Sequence, residues 1–173
     1  MAGATEFSSN GLTLLKGVER LRLTPYDDKT SLPTSVYVPK ATVGYGHLIQ
    51  EKQWAKYSAG ITQQQAEDIL KQDLQPAESA VRSLVKVPLT KNQYDALTIL
   101  TFNIGVGDAV KGTGFAGSSV LKLINDPSAS TPYDSLNSAW KAFNLENGKV
   151  SNGLINRRAS ELNIYNNAQY HGW

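Results

Sequence analysis

The chain has 173 residues and a mass of 18.8 kDa, which is the size of one globular domain with a substantial core. Its formal net charge of +2 is too small to predict nucleic-acid binding, and the absence of cysteine excludes disulfides and thiolate metal sites. We find neither a signal peptide nor an apolar stretch of about 18 residues, so no membrane span is expected.

The first predicted helix begins near Ser8, Ser9 or Asn10, any of which can cap its amino terminus. Apolar residues then recur at helical spacing, at Leu12, Leu15 and Val18. Glu19 follows near the end of this helix, beside its apolar face. This glutamate is therefore expected to lie against apolar neighbours.

Three short segments with strand propensity come next, at residues 21–26, 36–38 and 42–47. Prolines and glycines separate them. The third segment contains Gly44 and Gly46, which we interpret as allowing the strand to pass close to another part of the chain. These segments predict a small β-lobe.

Two capping boxes then predict two long helices. The first box, Thr62 to Gln65, opens an apolar stripe that continues to residue 85, with Pro76 expected to kink or divide the helix. The second, Thr90 to Gln93, opens a core helix that ends at Gly105. A flexible connector at 106–117 precedes shorter helical patterns at 118–125, 133–143 and 153–167.

One ordered motif stands out: Glu19, Arg22, Tyr26 and Asp28, followed by Thr42-Val43-Gly44-Tyr45-Gly46-His47. It resembles the phage-type lysozymes, glycoside hydrolase family 24. Residues 89–105 and 153–161 resemble the central helix and the C-terminal segment of that family, so the resemblance covers about residues 12 to 165. Three blocks in the same order make a chance match improbable.

The resemblance implies an α+β, mostly helical fold, with a small β-lobe and a larger helical lobe around a cleft. A single domain is expected over 1–173. Its β-containing lobe would cover about residues 20–60, and a linking helix about 61–85. The helical lobe would consist of about residues 86–173 together with the first helix. No metal and no organic cofactor is expected.

The implied activity is that of an endolysin muramidase, which hydrolyses the β-1,4 bond between N-acetylmuramic acid and N-acetylglucosamine in peptidoglycan. The mild positive charge would favour approach to an anionic wall. The enzyme is expected to be a monomer that accumulates in the host cytoplasm without a signal peptide. A holin, a functional rather than physical partner, would open its route to the wall.

By position in the family motif, Glu19, Asp28 and Thr42 are the expected catalytic residues. Glu19 would be the general acid, while Asp28 and Thr42 would hold the attacking water, which predicts inversion. Asp27 is a competitor for the role of Asp28, because residues 29–41 form an insertion that separates Asp28 from Thr42 further than in the best-known relatives.

Further residues have expected supporting roles. Sugar contacts are predicted for Tyr45, Leu48, Phe102 and Asn103. Arg157 and Arg158 either orient Glu19 or are solvated helix residues. His47 is interpreted as a structural histidine and Trp140 as a core residue.

Two alternatives to a muramidase remain open: a lytic transglycosylase, which needs the glutamate but no water-activating aspartate, and a catalytically inactive wall-binding module. For the tail at residues 166–173, contact with an anionic envelope surface competes with a frayed terminus.

Overall fold

The computed structural model describes residues 3–173, which divide into two compact units. The smaller unit is Leu15–Gln75, and the larger comprises the residues up to Leu14 together with Pro76–Trp173. Seven α-helices and six strands are present in the described part of the chain. None of its helices is long and apolar enough to cross a membrane. The helices are α1 (Ser9–Val18), α2 (Trp54–Tyr57), α3 (Gln63–Leu84), α4 (Lys91–Ile104), α5 (Ser119–Asn125), α6 (Leu136–Lys141) and α7 (Asn152–Asn167).

The smaller unit is built on an antiparallel sheet with the strand order β2-β1-β3-β4. Its strands are β1 (Arg22–Asp27), β2 (Leu32–Pro33), β3 (Ala41–Gly44) and β4 (His47–Leu48). Residues opposite each other in antiparallel strands share a face. One face therefore carries the row Pro33, Tyr26, Thr42 and Leu48, and the other carries Leu32, Asp27 and Ala41. Ala41 belongs to the apolar core of this unit, so the Thr42 row lies on the face away from that core.

The glycine-rich segment is a hairpin and not the single strand predicted over residues 42–47. Val43 pairs with His47 across a three-residue loop, in which Gly44 has φ of 68° and Gly46 has φ of 87°. Only glycine adopts these conformations without strain. The turn thus requires glycine at both positions, which the prediction of a single strand did not explain.

The insertion at 29–41 also differs from expectation. The strand predicted over residues 36–38 is absent, and β2 at Leu32–Pro33 pairs with β1 instead. Tyr37 and Val38 are turned inward and pack on the core of the smaller unit, and the Tyr37 ring meets Trp54 edge to face at 6.2 Å. This segment therefore contributes side chains to the core, and its backbone does not pair as a strand.

We expect the two halves of the insertion to respond differently to substitution. Tyr37→Ala should lower the free energy of unfolding by about 2 kcal/mol, because it removes packing from the core. Leu32→Ala should change it by less than about 0.5 kcal/mol, because Leu32 is 64% exposed. Urea unfolding of both variants tests this. Equal losses in the free energy of unfolding would mean that both halves of the insertion contribute equally to stability.

The larger unit is organised around α4, which is buried without interruption from Tyr94 to Thr101 and packs against α7. Both predicted capping boxes are confirmed, at Thr62 for α3 and at Thr90 for α4, and Gly105 ends α4 as expected. Trp140 is fully buried, as predicted. α3 runs without a break through Pro76, so the expectation that proline divides it is wrong.

Three features of the larger unit were not anticipated. The helix expected at 133–143 covers only Leu136–Lys141, because Ser135 caps it three residues into the predicted segment. A small hairpin then joins β5 (Leu145–Glu146) to β6 (Lys149–Val150). Its turn contains Gly148 with φ of 75°. In the connector at 106–117, a Cβ atom added to Gly107, Gly114 or Gly117 would meet backbone atoms within 3 Å, so this segment is tightly packed against itself.

The C-terminal tail is docked on the larger unit, which excludes the frayed terminus. The Tyr170 hydroxyl donates to Asp95 Oδ2 at 2.6 Å, and the Ser160 hydroxyl donates to the carbonyl of His171. Asp95 is completely buried on α4 and also accepts the Ser8 backbone N–H at 2.8 Å. Burial and the neighbouring Asp95 carboxylate raise the pKa of Tyr170 above its ordinary value.

Loss of the Tyr170 hydroxyl should destabilise the protein. Tyr170→Phe removes a hydrogen bond to a buried carboxylate and is expected to lower the free energy of unfolding by about 1–3 kcal/mol. Tyr133→Phe is the matched control, because the Tyr133 side chain is exposed. Thermal unfolding of both variants measures the difference, and identical midpoints would show that the tail contributes nothing to stability.

Candidate functional site

Glu19 lies at the point where α1 ends and against the glycine hairpin. Its N–H still donates to the carbonyl of Leu15 at 2.8 Å, so the last helical turn fixes its backbone. The side chain is partly buried, and a Cβ atom placed on Gly46 would lie 3.5 Å from Glu19 Oε2. The carboxylate is therefore beside the turn that joins β3 to β4.

Asp28 and Thr42 meet at one backbone carbonyl, although the insertion separates them in sequence. The Asp28 N–H donates to the Lys40 carbonyl at 3.0 Å, and the Thr42 hydroxyl donates to the same oxygen at 3.1 Å. Asp27 pairs with Ala41, so the end of β1 and the start of β3 stay in register despite the insertion. The last two residues of the insertion, Lys40 and Ala41, thus form this junction, and the pairing of the two strands is kept.

Asp27 and Asp28 have different surroundings in the structure. Asp27 lies on the sheet face opposite Thr42, and its Oδ1 accepts the Lys29 N–H at 3.0 Å, which closes the turn after β1. This is the ordinary structural use of an aspartate in a turn. Asp28 follows within that turn and is exposed. The geometry favours Asp28 for a chemical role.

His47 closes the hairpin and is held by a carboxylate. Its Nδ1 lies 2.9 Å from Asp73 Oδ2 on α3, and its ring meets Tyr57 edge to face at 5.4 Å. Within residues 3–173, no group of three or more histidine, aspartate or glutamate side chains is arranged to hold a metal ion. These contacts support the structural interpretation of His47.

The two predicted sugar-binding residues of the smaller unit differ in exposure. Leu48 is 50% exposed and lies next to Thr42 in the same row of the sheet. Tyr45, in the hairpin loop, is only 6% exposed. Leu48 thus offers a surface to a ligand, whereas Tyr45 is placed to support the loop.

In the larger unit, Arg157 and Arg158 surround the buried carboxylate of Glu161. Arg157 Nε donates to Glu161 Oε1 at 3.2 Å, and Arg158 Nε lies 3.3 Å from Oε2. The Trp140 indole N–H donates to Oε2 at 2.8 Å. Burial raises the pKa of Glu161, and the two guanidinium groups oppose this rise. Both arginines are buried, so their interpretation as solvated residues is wrong.

Phe102 and Asn103 lie at the C-terminal end of α4, and Asn103 reaches this charged cluster. Asn103 is exposed, and its Oδ1 accepts a hydrogen bond from Arg158. Phe102 is partly buried. The Trp173 ring covers the Arg157 guanidinium at 4.5 Å. The cluster therefore has a buried carboxylate at its centre and an exposed amide at its edge.

Sequence reasoning missed three of these supporting groups. The Lys40 carbonyl is a backbone atom, and no residue pattern marks it. Asp73 and Glu161 are ordinary helical acids in the sequence, and only the ion pairs in the structure distinguish them. The one available signal was the spacing of Arg157 and Glu161, which places them on one helix face.

A mostly helical α+β fold, with a helix-terminal glutamate beside a glycine hairpin, places the chain among the lysozyme-like glycoside hydrolases. The phage lysozyme family model matches residues 16–161, and the chain belongs to this family. Its similarity to the endolysin of Salmonella phage P22 is 37% identity over 161 residues, which covers 92% of this chain and 97% of the relative.

Solved structures agree with this assignment. The endolysin from Escherichia coli O157:H7 phage FAHEc1 superimposes with a TM-score of 0.71 and 30% identity, over 99% of both chains. The muramidase domain of SpmX from Asticaccaulis excentricus superimposes with a TM-score of 0.67 and 31% identity, over 94% of this chain and 99% of that one. The similarity thus extends over nearly the whole fold.

Proposed function

We propose that the chain is an endolysin muramidase that hydrolyses the β-1,4 bond between N-acetylmuramic acid and N-acetylglucosamine in peptidoglycan. Family membership supports the reaction class. The observation that carries the residue assignment is the junction at the Lys40 carbonyl, which brings Asp28 and Thr42 together while Glu19 lies beside the same hairpin.

In this mechanism Glu19 is the general acid and protonates the oxygen of the leaving sugar. Asp28 accepts a proton from a water molecule that the Thr42 hydroxyl helps to orient, and that water attacks the anomeric carbon from the opposite side. The Thr42 hydroxyl donates to Lys40 and leaves its oxygen lone pairs to accept a hydrogen bond from the water. The leaving sugar departs with a free hydroxyl group, and the oxygen of the water becomes the new anomeric hydroxyl. The proton taken up by Asp28 returns to Glu19 through solvent, which restores both carboxyl groups.

The supporting residues have narrower roles in the proposal. Leu48 would contact the glycan, and the buried Tyr45 would support the loop beside it. Phe102 and Asn103 stay candidates for further sugar contacts, and Arg157 and Arg158 stay candidates for supporting the acid. The enzyme would act as a monomer at the cell wall. It would reach the wall from the host cytoplasm through lesions made by a holin.

Mass spectrometry of digested peptidoglycan tests the reaction itself. A muramidase releases fragments with reducing N-acetylmuramic acid ends. A lytic transglycosylase would give anhydromuramoyl ends, and an inactive wall-binding module would release nothing. Either of these two results would overturn the proposal.

The stereochemistry of the product tests the roles of Asp28 and Thr42. A water held by these two residues predicts a single displacement, so the α-anomer should appear first in proton NMR of a defined oligosaccharide digest. Inversion requires about 6.5 Å or more between the two carboxyl groups, whereas a covalent intermediate requires about 5 Å. A β-anomer formed first would mean that Asp28 attacks directly and that Thr42 holds no water.

A further inference from the structure

Two residues of the motif, Arg22 and Tyr26, have no part in the mechanism described so far. Both are on β1, the strand that leads into the Asp28 turn. Tyr26 pairs with Thr42 and so lies beside it on the face away from the core. It is partly buried without belonging to the apolar core, so packing alone does not explain its position.

Arg22 connects Tyr26 to the far end of the turn. Its guanidinium carbon lies 4.6 Å from the centre of the Tyr26 ring, in a cation–π stack. Its Nη1 also donates to the Ser31 carbonyl at 3.0 Å. Arg22 is thus fixed by the ring and in turn holds the residue that ends the turn.

The turn itself needs such a restraint. Ser31 has φ of 59°, a left-handed conformation that is strained for a residue other than glycine. The N–H groups of Thr30 and Ser31 both donate to the Asp27 carbonyl, at 3.2 Å and 2.7 Å. The turn that contains Asp28 is therefore held at two points. The Asp28 N–H bonds to the Lys40 carbonyl, and Arg22 bonds to the Ser31 carbonyl at the end of the turn.

The electrostatics agree with this arrangement. Burial raises the pKa of Tyr26, the negative charges of Asp28 and Glu19 raise it further, and the positive charge of Arg22 opposes the rise. The phenol is thus close enough to both candidate catalytic carboxylates to respond to their charges.

We propose that Arg22 and Tyr26 are positioning residues: the stacked pair holds the Asp28 turn and thereby keeps the Asp28 carboxylate aligned with Thr42. This inference rests on the proposed function. Arg22 and Tyr26 would maintain the geometry of the catalytic residues, and neither would contact the reacting atoms.

Arg22→Lys is the decisive variant, because lysine keeps the charge but has no planar group to stack on the ring while donating to Ser31. We expect kcat to fall by about tenfold to a hundredfold and KM to change by less than about twofold, since the loss is one of alignment. Arg20→Lys, at an exposed position just before β1, is the matched control and should resemble the wild type. Urea unfolding identifies any variant whose loss reflects unfolding.

Variants of Tyr26 keep the proposal testable if Arg22→Lys fails to fold. Tyr26→Phe retains the ring and should keep activity within about twofold, whereas Tyr26→Leu removes the stack and should lose as much as Arg22→Lys. A large loss in Tyr26→Phe would show that the hydroxyl acts directly, which would overturn the positioning role.

A double-mutant cycle with Asp28→Asn separates positioning from other effects. If Arg22 acts through Asp28, adding Arg22→Lys to Asp28→Asn should cause no further loss in the residual rate. The same loss in both backgrounds, or a change in KM alone, would overturn the inference. If the wild type releases no reducing ends, the proposed function fails instead, so the two failures are distinguishable.

Discussion

Replacing Glu19 by glutamine is expected to lower the rate of wall hydrolysis by about two to four orders of magnitude, the usual effect of losing a general acid. Glutamine has nearly the same shape, so the contact of this side chain with the Gly46 turn should survive. The variant should therefore fold normally and lose kcat. Release of reducing sugar from purified peptidoglycan measures the rate.

Glu51→Gln is the matched control for this experiment, because Glu51 is an exposed glutamate in the same unit. It should keep wild-type activity. If folded Glu19→Gln retained half of the activity, Glu19 could not be the general acid, and the assignment of the site would have to be abandoned.

The largest effect on stability is expected at Glu161. Glu161→Gln removes the buried carboxylate that pairs with both Arg157 and Arg158, which are themselves buried. Removing one partner of a buried ion pair typically costs about 3–5 kcal/mol, because the remaining charge is left without compensation in a poorly polarisable environment. We expect a loss of this size in urea unfolding.

Glu146→Gln provides the control, since Glu146 is an exposed glutamate in the same unit. Its free energy of unfolding should stay within about 0.5 kcal/mol of the wild type. A loss below about 1 kcal/mol in Glu161→Gln would show that the ion cluster is no more stabilising than a surface pair.

Sequence reasoning succeeded where the determining interactions are local. Thr62 with Gln65, and Thr90 with Gln93, form hydrogen bonds across three residues, so the starts of α3 and α4 follow from the sequence. The uninterrupted burial of α4 follows from its apolar composition. The family is likewise determined by the sequence, because the order of the motif residues is itself a sequence property.

Predictions failed where residues far apart in the chain decide the structure. Residues 36–38 have strand propensity, but packing of Tyr37 against Trp54 and the core replaces strand pairing there. The tail is polar and terminal, yet it is held by Tyr170 and Asp95, which are 75 positions apart. Such contacts depend on how the whole unit closes, and no local pattern encodes them.

The sequence by itself thus determined the starts of α3 and α4, the family and the set of candidate residues, since capping, periodicity and motif order act over short distances in the chain. It left Asp27 and Asp28 as competitors, because both are acidic and adjacent. Tertiary structure distinguished their surroundings: strand pairing places Asp27 on the opposite face, and the Lys40 carbonyl joins Asp28 to Thr42. Which of two neighbouring side chains faces a site depends on sheet register, and register is fixed only when the strands pair.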